Sequence, residues 1–418
     1  MNRRQIWAWA WYDWANSAFS TVVMAGFFPL LFQDYWSADA TPAASNLRLG
    51  WANALGSLIL MLTAPLLGAI ADSTHAHKRL LFVFAVPGMF ATAALAWVPG
   101  GAWVTAAALF VCASVGFMAA NVFYDALLVE IAPSERWHSV SGFGYGLGYL
   151  GGGLLYLGCV FAALNPGVFG FADGGAAARA GFVATALWWA VFSVPLAALV
   201  PERPVRPRSG ALRAGVRQLA ATFRHLRGLR AVVIFLVAYW LYIDAVHTVI
   251  RMAVAYGRSL GFEQSDLIIA LLVVQFVGFP AAIAYGRLGE RIGPRRAIYL
   301  GLLVYAVVCV WGALIREPWE FYVIAVLVGL VQGGVQALSR SLYARLIPAE
   351  RAGEFFGFYN LLGKFAALLG PPLFGLFGTW FGDVRYSMLA LILMFAAGAL
   401  LLARVPDEEL MPATEHGG

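Results

Sequence analysis

About twelve stretches of this sequence are apolar over roughly the 20 residues that a helix needs to cross a lipid bilayer. They lie near residues 10–33, 49–71, 79–99, 102–131, 138–164, 179–200, 230–256, 264–288, 296–315, 319–346, 353–380 and 384–405. Apolar residues make up 61% of the 418 residues, and charged residues only 12%. A water-soluble chain of this length could not bury that much apolar surface, so the composition excludes a soluble protein. The sequence therefore predicts an all-α membrane protein with twelve transmembrane helices.

The cationic residues are distributed unevenly among the loops. The formal net charge of +6 would by itself be compatible with binding to nucleic acid. However, Lys78, Arg136, Arg345, Arg351 and the run 287–296 all fall in loops that alternate with loops poorer in cations. Cytoplasmic loops of membrane proteins have this excess of Lys and Arg, so we expect no nucleic acid partner. We predict a multi-pass protein of the cell membrane, or of the inner membrane in a Gram-negative bacterium, with both termini in the cytoplasm.

The longest soluble segment, 201–229, divides the chain into two halves of six apolar stretches each. We therefore predict an N-terminal six-helix bundle at 1–200 and a C-terminal six-helix bundle at 230–418. Within the linker, apolar residues recur every three or four positions, and Arg residues fall mainly between them. This spacing predicts a basic amphipathic helix that lies on the anionic lipid of the inner leaflet. A helical tether between the halves is an equally good interpretation.

The two halves repeat the same short motifs. GAIADSTHAHKR (68–79) follows the second apolar stretch, and GRLGERIGPRR (286–296) follows the eighth. Likewise, APSERWHSVSGF (132–143) corresponds to IPAERAGEFFGF (347–358). A hydrophobic chain with two parallel halves, each carrying a Gly-x-x-x-acid loop followed by basic residues, is typical of a secondary transporter.

Several longer motifs resemble one branch of the major facilitator superfamily. They are WYDWANSAFST (11–21), GYLGGGLL (148–155), QGGVQALSRSLYARLIP (332–348) and GKFAALLGPPLFG (363–375). The branch includes the fungal autophagy-related vacuolar amino-acid effluxers and many bacterial relatives. The resemblance spans nearly the whole chain. It implies two pseudo-symmetric six-helix bundles, a central cavity lined by spans 1, 4, 7 and 10, and efflux of an amino acid. The first loop departs from the pattern because it lacks the Gly that the second loop keeps as Gly293.

Polar residues inside the apolar stretches are candidates for binding cargo or a proton. Each intramembrane charge costs about 2.5–3.5 kcal/mol at the middle of a span, so its presence calls for a reason. The candidates are Asp13, Asn16, Asn121, Tyr124, Asp244, His247, Gln332, Gln336, Asn360 and Lys364. Their mixture of charges favours a polar, zwitterionic cargo, with Lys364 holding a carboxylate and Asp244 holding an ammonium group or the coupling proton. A buried Lys364–Asp244 pair with a structural role is the alternative. For His247, a proton relay and an ordinary hydrogen-bonding role are both open.

A second group of charges lies at the cytoplasmic ends of the spans and is predicted to act in gating. Its members are Asp72, Arg79, Glu130, Glu290, Arg291, Arg340 and Arg345. We expect the acidic loops to bridge spans on the cytoplasmic side and so to stabilise the outward-open state. Under the repeat, Asp125 corresponds to Arg340 and Glu130 to Arg345, so these residues can also simply neutralise charges near them.

Three other motifs do not support an enzymatic or cofactor-binding function. Gly146-x-Gly148-x-x-Gly151 lies inside a span with no strand before it, so it does not predict a dinucleotide site. It belongs instead to rows of small residues that let helices approach closely. The stretch 357–364 has the wrong spacing for a phosphate loop, and His75-x-His77 is too sparse for a metal site. We expect no enzyme, no cofactor and no metal.

The function predicted is proton-coupled transport of a small polar solute by alternating access, and the solute predicted is an amino acid that is exported. The partners predicted are therefore a small-molecule substrate, protons and the lipid bilayer, and we expect a monomer. A non-transporting membrane receptor or scaffold is the main alternative, and a transporter of lipid or drug-like cargo is another. The intact midplane charges favour transport, because a scaffold has little reason to retain their cost.

Overall fold

The computed structural model describes residues 3–202, 230–365, 369–382 and 384–405. The amphipathic helix predicted within 201–229 falls at 203–229, outside the described residues. The described chain forms twelve helical segments, which we number α1 to α12 in chain order. They are α1 (Arg3–Trp36), α2 (Pro42–Thr74), α3 (His77–Ala94), α4 (Trp103–Ile131), α5 (Trp137–Leu164), α6 (Gly174–Leu199), α7 (Arg230–Ser259), α8 (Gln264–Ile292), α9 (Pro294–Leu314), α10 (Pro318–Leu346), α11 (Ala352–Phe365 and Gly370–Phe381) and α12 (Ser387–Leu402).

Ten helices in the described ranges are long and apolar enough to cross a membrane by length and composition. The two that fall short are α11, whose pieces we call α11a (Ala352–Phe365) and α11b (Gly370–Phe381), and α12, which has 16 residues. The prediction of an all-α membrane protein is confirmed. The predicted segment 353–380, however, is covered by two helical pieces rather than by one uninterrupted helix.

The first helix changes its winding along its length. It is an α-helix over Arg3–Ala18, a π-helix over Phe19–Phe27, and π-helical again over Phe32–Trp36. A π-helical stretch rotates the side chains that follow it relative to a regular helix, and such stretches occur frequently at functional sites. This change begins directly after Asp13, Asn16 and Ser17, which lie in the preceding turns.

Two rows of glycine in α5 let this helix touch two neighbours at once. A Cβ atom at Gly144 would lie 2.8 Å from the Trp9 ring, and one at Gly148 would lie 2.6 Å from Ser17 Oγ, so this row faces α1. A Cβ atom at Gly142 would lie 2.6 Å from the carbonyl oxygen of Ala282, so the other row faces α8. The predicted close approach of helices along these small residues is confirmed.

The two bundles meet mainly near the membrane face at which α1 begins, which we call the N-terminal face. The helix α5 of the first bundle packs against α8 and α10 of the second, and α11a packs against α2 and α4. In contrast, the helix α11b, which lies farther from this face, packs against α7 and α12 of its own bundle. Within the described helices, α11a therefore takes part in the contacts across the bundles, whereas α11b packs within its own bundle.

Candidate functional site

A buried arginine of α10 connects the two bundles. Arg340 is only 2% exposed, and its Nη1 atom lies 3.1 Å from Asp125 Oδ1 on α4 and 3.9 Å from Asp13 Oδ2 on α1. Its Nε atom donates to Ser141 Oγ at 2.8 Å, and its Nη2 atom donates to the Ser141 carbonyl oxygen at 3.1 Å. Arg340 thus contacts three helices of the other bundle. We call Asp13, Asp125, Ser141 and Arg340 the central cluster.

Each carboxylate of the central cluster has further hydrogen bonds that fix its position. Asp13 accepts from Tyr124 Oη at 3.1 Å and from Ser17 Oγ at 3.3 Å. Asp125 accepts from Asn360 Nδ2 at 2.8 Å, and this contact adds α11a to the cluster. Three of the residues predicted to bind cargo or a proton, Asp13, Tyr124 and Asn360, therefore lie together with Arg340, which was predicted to act in gating.

Aromatic rings surround the guanidinium group of Arg340. Its Cζ atom lies 4.4 Å from the ring centre of Tyr145, 4.9 Å from that of Trp9 and 5.4 Å from that of Tyr124. The rings of Trp9 and Tyr124 are stacked with centres 4.4 Å apart, and Trp9 Nε1 donates to the Tyr124 carbonyl oxygen at 2.9 Å. The faces of these rings attract a cation that has been removed from water, so they help to retain the charge of Arg340 inside the membrane.

The central cluster has an unequal number of charges. One guanidinium group faces two carboxylates, so with every group ionised the cluster carries a net charge of −1. A buried ion pair offsets its desolvation only with good geometry and additional hydrogen bonds. Asp125 meets that condition, because its Oδ1 atom lies 3.1 Å from Arg340 Nη1. The Oδ2 atom of Asp13 lies farther from the same nitrogen, at 3.9 Å. Addition of one proton would make the cluster neutral.

Other predicted residues line the same interface. Asn16 Nδ2 donates to Asn121 Oδ1 at 2.6 Å, which links α1 to α4 within the first bundle. In α10, Gln332 is 9% exposed and its Oε1 atom is buried with no hydrogen-bond partner among the described residues, whereas Gln336 is half-buried.

Asp244 lies apart from the central cluster, in α7. It is fully buried, and its carboxylate accepts from the backbone N–H groups of Leu369 at 3.0 Å and Gly370 at 3.2 Å. These are the first N–H groups of α11b, and a carboxylate is stabilising at such a helix N-terminus. His247 lies one turn further along α7 and is half-buried. Lys364 is near the end of α11a, but its side chain lies outside the described part of the structure.

A second polar cluster joins the bundles at the N-terminal face. Asp72, at the end of α2, accepts from the backbone N–H groups of Gly353 and Glu354, both at 2.8 Å, in the first turn of α11a. The ring of His77 lies between Asp72 and Glu130, at 3.0 Å and 3.1 Å respectively. We call Asp72, His77 and Glu130 the acidic triad. Two predicted gating residues, Asp72 and Glu130, are therefore brought together by a histidine.

The remaining predicted gating residues lie around the same face. Ser139 Oγ, in the first turn of α5, donates to exposed Glu290 at the end of α8, so Glu290 faces α5 as Asp72 faces α11a. Arg345 Nη2 donates to the Ser134 carbonyl oxygen at 3.3 Å. Arg79 is exposed, with its backbone N–H bonded to Glu202 Oε1 at 2.8 Å, and Arg291 is also exposed.

Sequence reasoning overlooked several residues of these clusters. Trp9 and Tyr145 are two of many aromatic residues in a chain that is 15% aromatic, so nothing in the sequence distinguishes them. Ser141 is a small residue in a glycine-rich helix. His77 was noticed only as a poor metal ligand. For His77 a signal existed, because it stands in the acid-and-basic loop only five residues after Asp72.

Comparisons with known proteins agree with this architecture. A model of the family described as "Vacuole effluxer Atg22 like" matches residues 1–47, 50–138 and 129–414. The uncharacterized MFS-type transporter YxiO of Bacillus subtilis is 37% identical over 404 residues, which are 96% of this chain and 94% of YxiO. Autophagy-related protein 22-1 of Aspergillus fumigatus is 24% identical over 66% of this chain. The match spans about half of that relative, namely 49% of its length.

A solved structure has the same fold. The major facilitator superfamily proton:xylose symporter XylE, bound to 6-bromo-6-deoxy-D-glucose, superposes with a TM-score of 0.76. The comparison covers 96% of this chain and 95% of that one, at 14% sequence identity. This likeness confirms the predicted fold of two six-helix bundles.

Proposed function

We propose, from the premise that this chain belongs to the Atg22-like family of major facilitator transporters, that it exports an amino acid or a similar small polar solute in exchange for protons. It is a membrane transporter and not an enzyme. The proposal places it in the cell membrane with the N-terminal face toward the cytoplasm. The described structure then corresponds to an outward-open state, in which the cytoplasmic side is closed.

The central cluster is the observation that carries the proposal. Arg340 belongs to the second bundle, whereas Asp13, Asp125 and Ser141 belong to the first. Opening of the N-terminal face must therefore pull a buried guanidinium group away from these partners. Since each lost contact with a buried charge is costly, the cluster stabilises the closed face strongly. Addition or loss of a proton in the central cluster would therefore shift the equilibrium between the outward-open and the inward-open state.

Proton coupling follows from the excess negative charge of the central cluster. Asp13 is the carboxylate farther from Arg340, so its protonation sacrifices less attraction than protonation of Asp125. A proton that enters from the outward-open side neutralises Asp13 and weakens the contact between the bundles. The N-terminal face then opens, the proton leaves to the cytoplasm, and cargo binds between the bundles. Asp244 is the second candidate proton carrier.

The choice of a zwitterionic cargo rests on the presence of charges of both signs within the apolar stretches of the two bundles. Arg340 offers a positive charge beside the two carboxylates of the central cluster, and Lys364 and Asp244 add one charge of each sign in the second bundle. In this proposal Lys364 holds the cargo carboxylate. Gln332 Oε1 supplies a neutral acceptor for the cargo ammonium group.

Transport by purified protein in proteoliposomes tests the proposal. Counterflow is measured with a panel of amino acids, sugars, lipids and cationic drugs, with and without an imposed proton gradient. We expect counterflow of one or more amino acids, and movement of those amino acids against their own gradient when protons flow the other way. The variant Arg340→Gln should lose transport, and Arg296→Gln, at an exposed position at the start of α9, should retain it. Counterflow of sugars or lipids alone would refute the proposed amino-acid cargo. The absence of all counterflow would refute transport and favour a receptor or scaffold.

A further inference from the structure

His77 lies between two carboxylates at the start of α3. The residue is 5% exposed. Its Nε2 atom lies 3.0 Å from Asp72 Oδ1, and its Nδ1 atom lies 3.1 Å from Glu130 Oε1. Three helices of the first bundle, α2, α3 and α4, thus meet at one imidazole ring.

The protonation state of this triad can be deduced by counting N–H groups. A neutral imidazole has one N–H group and one bare nitrogen, and an ionised carboxylate only accepts hydrogen bonds. With neutral His77 and two ionised carboxylates, a nitrogen lone pair would therefore face a carboxylate oxygen at about 3 Å, which is repulsive. Both contacts become attractive when the triad holds one more proton, either on His77 or on the Glu130 oxygen that faces Nδ1.

The triad also touches the second bundle through Asp72. Both oxygens of Asp72 accept backbone N–H groups from the first turn of α11a. A Cβ atom at Gly353 would lie 2.8 Å from His77 Nε2 and 2.8 Å from Asp72 Oδ1, so the first turn of α11a rests directly on the His77–Asp72 pair. The position of the imidazole ring therefore affects the contact that closes the N-terminal face.

The other charged groups near the triad are engaged elsewhere. On α11a, Glu354 forms an ion pair with Arg351 at 2.9 Å. On α3 itself, Lys78 Nζ donates to the carbonyl oxygens of Ala197 at 3.0 Å and Val200 at 2.7 Å, at the end of α6. Glu202, beyond α6, accepts the backbone N–H of Arg79. His77 is the titratable group that lies against both Asp72 and Glu130.

We infer that His77 is a positioning residue for the transport cycle, one that holds the N-terminal face closed only while the acidic triad retains its extra proton. Loss of that proton makes one of the two contacts of His77 repulsive. It thereby weakens the packing of the first turn of α11a against His77 and Asp72. An alkaline solution at this face therefore shifts the protein toward the state that is open there. The inference rests on the alternating-access part of the proposed function, and it requires neither the cargo nor the driving ion proposed above.

The test measures the conformation of the N-terminal face as a function of pH, in detergent or nanodiscs and without cargo. Spin labels at Arg79 and Arg291, both exposed and in different bundles, report the distance across this face. In the wild type we expect the open population to rise by about tenfold between about pH 6 and about pH 10, since a charge-assisted hydrogen bond is lost. In His77→Gln, which cannot gain a proton, this rise of the open population at alkaline pH should be absent.

Two further variants distinguish a titrating triad from general destabilisation. Glu130→Gln supplies an amide that can donate to the bare nitrogen, so the face should stay closed at alkaline pH. His75→Asn removes the neighbouring histidine at a position with φ 55, which Asn tolerates, and should preserve the wild-type pH dependence. Unchanged pH dependence in His77→Gln would overturn the inference, and so would loss of the dependence in His75→Asn with a folded protein. Failure to transport amino acids would refute the proposed function without affecting this result.

Discussion

Arg340 makes its closest polar contacts with residues of the opposite bundle, and this determines what each of its partners can do. Asp125 lies at ion-pair distance and is also held by Asn360, so it is a fixed counter-charge. Asp13 lies farther away and is held by two hydroxyl groups, which tolerate a neutral partner as well as a charged one. The two carboxylates are therefore expected to respond differently to neutralisation.

We predict that Asp13→Asn uncouples transport from protons and leaves the fold intact. Asn matches the shape of Asp and mimics its protonated form, so the central cluster becomes permanently neutral. Counterflow of cargo should stay within about twofold of the wild type, whereas accumulation driven by a proton gradient should fall by about tenfold or more. Both are measured in the same proteoliposomes. Equal loss of counterflow and accumulation would contradict a role for Asp13 in coupling alone.

Asp125→Ala provides the contrasting prediction. It leaves the buried charge of Arg340 with Asp13 alone, at the longer distance, and should lower the free energy of unfolding by about 3–5 kcal/mol. Thermal unfolding of the purified protein would measure this loss. A stability equal to that of Asp13→Asn would show that the two carboxylates are interchangeable.

At this scale the sequence identified most polar residues of the site but not their pairing. Asp13, Tyr124 and Asn360 stand out because polar groups inside apolar stretches are costly. That Arg340 meets Asp125 depends on two helices 215 residues apart in the chain, and no local pattern encodes such a contact. The ring of Tyr145 over Arg340 was unpredictable for the same reason.

The helix α5 shows how one element can belong to both bundles. Its glycine row toward α1 is part of the first bundle, whereas its row at Gly142 and Gly146 closes the N-terminal face against α8. The sequence indicated both rows through their four-residue spacing. It could not assign a partner helix to either, because both neighbours offer apolar surfaces.

We predict that Gly142→Ala destabilises the closed N-terminal face. The added methyl group would lie 2.6 Å from the Ala282 carbonyl oxygen of the other bundle, so α5 and α8 must separate. Overpacking of this kind costs about 1–3 kcal/mol, which should shift the equilibrium toward the state open at this face. Gly158→Ala is the matched control, since a Cβ atom there meets no atom within 4 Å. The distance between spin labels across the N-terminal face is measured in both variants. Equal distances in Gly142→Ala and Gly158→Ala would contradict the assignment of this glycine row to the closed face.

The two pieces of α11 are each held by a carboxylate from a different bundle. Asp72 binds the start of α11a, and Asp244 binds the start of α11b. The sequence contained a signal for the second start, because Pro at the first positions of a helix, here Pro371 and Pro372, commonly marks an N-terminus. The long apolar run around these prolines obscured that signal.

Asp244 therefore has a capping role that can be separated from proton binding. We predict that Asp244→Ala lowers the free energy of unfolding by about 1–2 kcal/mol, because two N–H groups at the start of α11b lose their acceptor. Asp244→Asn keeps an acceptor and should be nearly as stable as the wild type. If Asp244→Asn is stable and also retains proton-driven transport, Asp244 is only a cap. Loss of that transport alone would make Asp244 a proton carrier.

For the whole molecule, the repeat in the sequence was enough to predict two six-helix bundles. The orientation in the membrane is a separate matter and depends on the distribution of cations among the loops. We predict that a membrane-impermeant thiol reagent added outside intact cells labels cysteines introduced at positions 40 and 173, and fails to label those at 78 and 292. Labelling at 78 or 292 from outside would reverse the proposed orientation and the direction of every step above.

Alternating access between the two faces is the central claim, and a reversible lock on the N-terminal face tests it most directly. Ser139 and Glu290 are in contact across the bundles at this face. In a background with Cys112, Cys159 and Cys309 replaced by Ala, the pair Ser139→Cys and Glu290→Cys is oxidised to a disulfide, and counterflow is then measured before and after reduction. We predict that oxidation abolishes counterflow and that reduction restores it, whereas oxidation leaves the counterflow of each single variant unchanged. Counterflow that continues at the wild-type rate in the fully cross-linked protein would contradict the account.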